Sequence, residues 1–385
     1  MKIIYLTSRF PYPLEKGDKL RAYHQIRALS MSHAVTLICI TDDDPNKESL
    51  EKIKSITDAL YVIRITPMER FFSLISAVST GLPFQIAWFT STSIKNIIQK
   101  LSLEIQPDHI FCQLTRMAEY VKDLKYPKTL DYMDCFGIGM RRRANVAKGL
   151  TSLLYKIEAT RMIKYEADIS EKFNHLTIIS EQDKSQFTFP KASEICVISN
   201  GIDKSFLEYA EHSNKEYELV FVGNMSYLPN IEAVEYIVHQ ILPTIHLPIK
   251  LLIAGAAPTK SIRALQNEHI SVSGWIDDIK IAYTSGKIFV APMWSGTGQQ
   301  NKILEAMALG IPCITTEAVN HAIGATLNKE ILIAQDAGDF VTKIQTLLSD
   351  RDLYDKISCN SKIFVKENFD WKQKGQNLSS IFALN

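Results

Sequence analysis

Strand-like and helix-like stretches alternate along this chain in a series that runs its course once and then starts again. Short apolar runs rich in β-branched residues stand at 2–7 (KIIYLT), 34–40 (AVTLICI), 60–65, 109–114, 128–133, 175–180 and 194–199. Between them lies helical periodicity: Leu20, Tyr23, His24, Ile26, Arg27 and Ser30 separate apolar from polar positions at the helical spacing. Short apolar strands alternating with helices call for parallel sheets covered on both faces. A second set follows at 217–223 (YELVFVG), 249–255, 269–274, 287–293 and 311–316. Two such sets predict an α/β protein of two doubly wound, Rossmann-like domains rather than one continuous sheet. A length of 385 residues suits two domains. The boundary is expected where the chain runs Asn200-Gly201-Ile202-Asp203 and then turns polar, because Asn-Gly supplies the chemistry of a turn.

Composition narrows the function. There are 43 basic and 42 acidic residues, a net charge of +1, which gives no support to a nucleic-acid partner. The six cysteines are scattered without a C-x-x-C pair, which argues against a disulfide framework or zinc ribbon and suits a reducing compartment. The nine histidines show no H-x₃-H or H-E-x-x-H spacing, so no metal site is expected. The opening MKIIYLTSRF lacks the apolar core and cleavage site of a signal peptide and reads as a buried first strand. Residues 71–94 carry no charge, but Gly81 and Pro83 interrupt them and eight Ser or Thr dilute them. A helix–loop–helix with an apolar face is expected there, and a cytoplasmic location for the chain. The charge splits at the boundary, with +5 over residues 1–200 and −4 over 201–385. A mildly basic first half fits an anionic partner, such as a phosphate-bearing acceptor or a membrane surface.

The strongest chemical signal is FVAPMWSGTGQQNKILEAMALGIP, from Phe289 to Pro312. A strand ends near Met293, a Gly296-Thr297-Gly298 loop follows, and a helix runs from about Gln299 to Leu309, closed by Gly310 and Pro312. This is the layout of an anion site. Glycines let backbone N–H groups approach a phosphate, and the first helical turn adds unpaired N–H groups and the positive end of the helix dipole. Lys302 adds a full charge in that turn. Glu305, three residues on, lies on a neighbouring part of the same face, where a carboxylate can accept two hydrogen bonds from a ribose diol.

With this strand, G-x-G loop, Lys302, Glu305-Ala-Met-Ala helix and Gly310-x-Pro312, the sequence resembles the family 4 retaining glycosyltransferases. Asn200-Gly201-Ile202-Asp203, Val222-Gly223, Gly255 and Gly274-Trp275-Ile276 extend the likeness over almost the whole chain. The stretch FPYPLEKGDKLRAYHQIRAL is similar to sugar transferases of bacterial exopolysaccharide and capsule gene clusters. The resemblance implies a GT-B layout, two Rossmann-like domains facing a central cleft. The domains would be residues 1–205 on the acceptor side and 206–365 on the donor side, with a last helix over 366–385 crossing back to the first domain. It implies transfer of a sugar, with retention, from a nucleotide-diphosphate sugar to a glycan or polyprenyl-diphosphate-linked acceptor, with no cofactor beyond that co-substrate and no metal.

The resemblance also distributes roles. Lys302 and Glu305 are the catalytic pair, for diphosphate and ribose. Gly223, Asn224, Gly274, Trp275, Ile276, Gly296, Thr297, Gly298, Gln299 and Asn301 surround the donor. Gly17, Asp18 and Lys19 flank the phosphate or acceptor approach after the first strand. Apart from the resemblance, Asp131 and Asp134 at a strand end read either as acceptor-side residues or as caps, and His24 either as a phosphate or acceptor contact or as a structural histidine. Two departures stand out. Thr297 occupies a position where the family often has a Glu, and Gly223-Asn224-Met225-Ser226-Tyr227 has no cation where the family often has Arg and Lys. Lys302 is then left to carry the phosphate charge almost alone.

Three further signals remain. Asp42-Asp43-Asp44 matches a metal-binding D-x-D or a ribose-holding acid, but reads best as the cap and first-turn acids of a helix over 46–57. Arg141-Arg142-Arg143, Lys148, Lys156, Arg161 and Lys164 form either a solvated helix face or, with residues 71–94, an anionic-membrane dock that would place the protein peripherally on the inner face of the cytoplasmic membrane. The alternatives to a transferase are a nucleotide-sugar epimerase of the same fold and a non-catalytic nucleotide- or glycan-binding protein.

Overall fold

The computed structural model describes residues 1–209, 215–294 and 298–383. The chain forms two compact units, Met1–Ser199 with Trp371–Asn385, and Asn200–Asp370. The divisions fall at 199/200 and 370/371 rather than at 205 and 365. Where the second unit begins and ends, its two termini run side by side: Ile202 bridges Asp370, and the Ile202 N–H donates to Phe369 O at 2.7 Å.

The first unit is built on seven strands: β1 (Lys2–Thr7), β2 (Ala34–Thr41), β3 (Ala59–Arg64), β4 (His109–Gln113), β5 (Lys128–Asp131), β6 (His175–Ile178) and β7 (Cys196–Val197). They form one parallel sheet in the order β3-β2-β1-β4-β5-β6-β7. The order reverses between β1 and β4, which makes their carboxyl ends the topological switch point. Side chains of β1 alternate between two cores. Ile3 and Tyr5 pack with Tyr23 and Ile26 of the Gly17–Leu29 helix and Leu378 of the Trp371–Phe382 helix. Ile4 and Leu6 pack with Ile94 and Ile98 of the Thr92–Ile105 helix. Both faces are covered, which is why the run is apolar throughout.

The last helix lies close on the first: a Cβ added at Gly375 would sit 2.3 Å from the Ala28 Cβ. Residues 71–94 form part of a Pro67–Thr80 helix, started by a Thr66–Glu69 capping box and ended by Gly81 at φ 74°, and then a short Phe84–Ala87 helix. Among the described residues no helix is long and apolar enough to cross a membrane. The cap of the Lys47–Lys54 helix is Asn46, whose side chain accepts from Ser49 N at 2.8 Å, and not the Asp42–Asp44 run. Asp42 pairs instead with Arg70, and Asp44 with Arg64 at 3.5 Å.

The second unit has β8 (Tyr217–Val222), β9 (Leu251–Ala254), β10 (Ile270–Gly274), β11 (Gly286–Ala291), β12 (Cys313–Thr315) and β13 (Leu332–Ile333). They too form one parallel sheet, in the order β10-β9-β8-β11-β12-β13. Its switch point lies between β8 and β11. The Asn301–Ala308 helix buries Ile303, Leu304, Met307 and Ala308 against the sheet, which fixes the direction of its remaining side chains. The strand predicted at 194–199 shortens to two residues, and the short apolar run Ile331–Ala334, not predicted as a strand, supplies the two-residue β13.

Candidate active site

The site is built where β8 and β11 end. β8 leads into Gly223, whose N–H donates to Ala254 O at 3.0 Å, and Gly255 follows β9 at φ +130°. A Cβ on Gly255 would lie 2.0 Å from Gly223 O, so only glycine lets these two strand ends approach this closely. Asn224 then makes a tight turn, its Oδ1 accepting from Ser226 N at 2.9 Å and Ser226 Oγ at 2.8 Å. Its carbonyl accepts from Asn230 Nδ2 at 2.8 Å.

Asn230 is 3% exposed, and its side-chain oxygen accepts from Lys302 Nζ. The loop after β8 supplies no cation of its own, but Asn230 ties it to one. Lys302 Nζ also lies 3.7 Å from Met293 Sδ and 5.2 Å from the centre of the Phe221 ring. Burial lowers the Lys302 pKa to about 8, with Glu305 acting in the opposite direction. One cation is thus held in an apolar, cation–π surround, with a single strong hydrogen bond among the described residues and donor capacity to spare.

Three residues further along the helix, Glu305 accepts from the Tyr283 hydroxyl at 2.7 Å. Tyr283 is fully buried in the helix before β11. Burial raises the Glu305 pKa, while Tyr283 and Lys302 pull it down. Tyr283 fixes one carboxylate oxygen and leaves the second for another donor.

The loop before the helix is anchored as well. The Gln299 amide pairs reciprocally with the Asn200 backbone, accepting from Asn200 N at 2.8 Å and donating to Asn200 O at 3.1 Å. Gly298 sits at φ +75°, and Gly296 and Thr297 lie outside the described residues. Asn301, the first helical residue, has a buried Oδ1 with no hydrogen-bond partner among the described residues. Such an unmet acceptor is rare and marks a place where a ligand hydroxyl or N–H would be stabilised. Past the end of β10, Gly274 leads to Trp275, which is 63% exposed with its Nε1 donating to Asp277 Oδ1 at 3.1 Å, and to the half-buried Ile276.

The candidates of the first unit separate into two groups. At the β1/β4 switch point, Gly17 opens its helix, Lys19 is half-buried, and Asp18 pairs with Arg9 at 2.6 Å while its carbonyl accepts from Gln113 Nε2 at 2.9 Å. Asp131 lies in the interior instead. It is fully buried against Arg21, at 2.6 Å and 3.1 Å, and accepts from Thr177 Oγ1 at 3.0 Å. Arg21 also donates to Ile198 O at 2.8 Å, so this pair ties the first helix to β5, β6 and the residue after β7. His24 is likewise interior, its ring stacked on Trp371 at 4.7 Å between centres. Asp134 is half-buried, and burial raises its pKa. Nearby Glu166, raised to about 8 by burial, accepts from Phe136 N at 2.8 Å and so caps the Phe136–Val146 helix.

Asn230 and Tyr283 were not singled out from sequence. A Pro229-Asn230 pair at a helix start signals only a boundary, and nothing in the pattern links Tyr283 to a residue 22 positions away.

The family model for glycosyl transferases group 1 matches residues 216–350, most of the second unit. The matched residues all lie within this unit, and the chain has the GT-B fold. Over its full length the chain is 24% identical to a 44.6 kDa protein of the cps region of Klebsiella pneumoniae, covering all of both. Its fold is similar to that of sucrose-phosphate synthase from Thermosynechococcus elongatus, with a TM-score of 0.72 and 14% identity over all of this chain and 98% of the other. Anabaena HepE, in a structure with UDP and glucose, gives 0.72 and 12% identity over all of this chain and 99% of the other. In this GT-B chain the group 1 match covers β8, β11 and the Asn301–Ala308 helix that carries Lys302 and Glu305.

Proposed function

We propose that this chain is a retaining glycosyltransferase. It moves a sugar from a nucleoside-diphosphate sugar to a hydroxyl of a glycan or polyprenyl-diphosphate-linked acceptor, in the assembly of a cell-surface polysaccharide. The observation that carries this reading is the pairing of one poised cation and one poised carboxylate, Lys302 and Glu305, on a helix beside the β8/β11 switch point. The nucleotide sugar is supported by the UDP and glucose in HepE, and the polysaccharide role by the cps-region relative.

In this reading Lys302 meets the negative charge that grows on the diphosphate as its bond to the sugar breaks. Charge is most stabilising where it is fixed in advance in a water-poor setting, and Asn230, Phe221 and Met293 hold the ammonium in such a place. Glu305, steadied by Tyr283, accepts from the ribose diol. Asn301 offers a second acceptor, and Trp275 and Ile276 border the base. The donor is a co-substrate, and the reading calls for no cofactor or metal.

The test is a panel of UDP-, GDP- and dTDP-sugars, each with and without an acceptor lipid extract, with the anomeric configuration of the product compared with that of the donor. Acceptor-dependent release of nucleoside diphosphate with retained configuration is expected. Donor conversion without acceptor would point to an epimerase, and binding without turnover to a non-catalytic protein. Either result overturns the proposal.

A further inference from the structure

The Pro67–Thr80 helix is amphipathic the wrong way round for a helix that serves only to cover a sheet. Met68, Phe71, Phe72, Ile75 and Val78 follow the i, i+3, i+4, i+7 spacing of a single face, and all five are exposed, Phe71 at 61%. Its polar face turns inward. Glu69 accepts from Ser91 Oγ at 2.6 Å, and Arg70 pairs with Asp42 and lies 4.8 Å from the centre of the Trp88 ring. Only Ala77 of this helix is buried.

A second stripe lies beside it. The Phe136–Val146 and Gly149–Ser170 helices form a hairpin that turns through Gly149 at φ +62° and is pinned by Ser152 Oγ donating to Ala144 O at 2.7 Å. Val146, at 77% exposure, and Leu150, Leu153, Leu154 and Ile157 leave its tip apolar and open. Arg161 Nη1 donates to Ala77 O at 3.1 Å, which ties this hairpin to the first stripe. Between the Pro67–Thr80 and Gly149–Ser170 helices runs a groove of about 880 Å³ with a mixed charged lining, Lys122, Arg161 and Lys164 beside Glu69, Glu119 and Asp168.

We propose that this face of the first unit docks on the surface of a bilayer containing anionic lipid. Charge selects the occupant. Residues 141–157 hold five basic side chains (Arg141, Arg142, Arg143, Lys148 and Lys156) and no acidic one. All five are exposed around the apolar tip. Apolar side chains that enter the headgroup region, ringed by cations that meet lipid phosphates, are the two signals that together make surface binding stable. A second copy of the chain fits less well. A two-fold contact would press the same cationic segment against itself, and like charges in an interface repel. This surface belongs to the first unit alone and does not rest on the donor-site reading.

The test is cosedimentation of the full chain with phosphatidylcholine vesicles, pure or with about one-third phosphatidylglycerol. Binding to the anionic vesicles that weakens with salt is expected. It should fall about tenfold or more in the double variant Phe71→Asp with Phe72→Asp, and likewise in Arg141→Glu with Lys148→Glu. These side chains are exposed, so circular dichroism and UDP binding in solution should stay as in the wild type, and failure here is distinguishable from failure at the donor site. No binding to anionic vesicles, or binding that neither double variant weakens, overturns the proposal. So does self-association that the aspartates abolish without any vesicle binding, because a second copy would then cover the face.

Discussion

Replacing Lys302 by methionine separates what this side chain costs the fold from what it gives the site. In the folded protein burial holds its pKa at about 8, against 10.5 for an ordinary lysine. At 1.36 kcal/mol per pH unit, that gap is a penalty of about 3 kcal/mol while the folded side chain is charged. The sign follows from proton binding. Between about pH 8 and 10.5 the unfolded chain holds more protons at this position than the folded one, so stability rises with pH across that window. Below the folded value the full penalty is present. Methionine keeps the length and drops the charge, and leaving the Asn230 side chain without its hydrogen-bond donor costs roughly 1–3 kcal/mol whatever the pH. The stability gap between wild type and Lys302→Met should therefore shift by about 2 kcal/mol in favour of the wild type from about pH 7 to about pH 9.5. Urea unfolding of both proteins at both pH values, followed by tryptophan fluorescence, reads this directly. A gap that does not change with pH would refute the idea of a charge held in a desolvated place.

Further outcomes are expected. Glu305→Gln should lower transfer by about ten- to a hundredfold with a normal melting temperature, and Tyr283→Phe should raise KM for the donor more than it lowers kcat, as a positioning residue would. Affinity for whichever of UDP, GDP and dTDP binds should fall as pH rises through about 8, where free Lys302 loses its proton, and calorimetry near that pH in buffers of different ionisation enthalpy should show proton uptake on binding. Arg21→Met should destabilise the first unit by about 3–5 kcal/mol, because it leaves Asp131 buried without its partner; thermal unfolding checks this, and Arg21→Lys should recover only part of the loss because the ammonium cannot make the two-point contact.

Both sheets were legible because their strands are buried on two faces and so read as unbroken apolar runs, as in Ile3 to Leu6 and Leu219 to Val222. The helix that carries the candidate pair was legible for a local reason: Lys302 and Glu305 stand three residues apart on one element, and spacing within an element survives in sequence. Asn230 and Tyr283 come from other helices, 72 and 22 residues from the side chains they hold, and such pairings are made by tertiary packing. The same limit left Asp131 and His24 open between acceptor-side and structural roles. Asp131 meets Arg21 across 110 residues, and His24 meets Trp371 on the last helix of the chain. The uncharged run at 71–94 was visible, but only the structure gives its direction. Arg70 and Glu69 find partners inward, and that turns Phe71, Phe72 and Ile75 out to solvent.

The second unit should bind a nucleoside diphosphate at the β8/β11 switch point. Hydrogen exchange measured by mass spectrometry, with UDP, GDP and dTDP each at saturation, tests it most directly. At least one of them should slow exchange at residues 223–226, 274–277 and 298–302 in the wild type, and Lys302→Met should lose that protection. Protection confined to other segments, or the same footprint in the variant, would contradict the account.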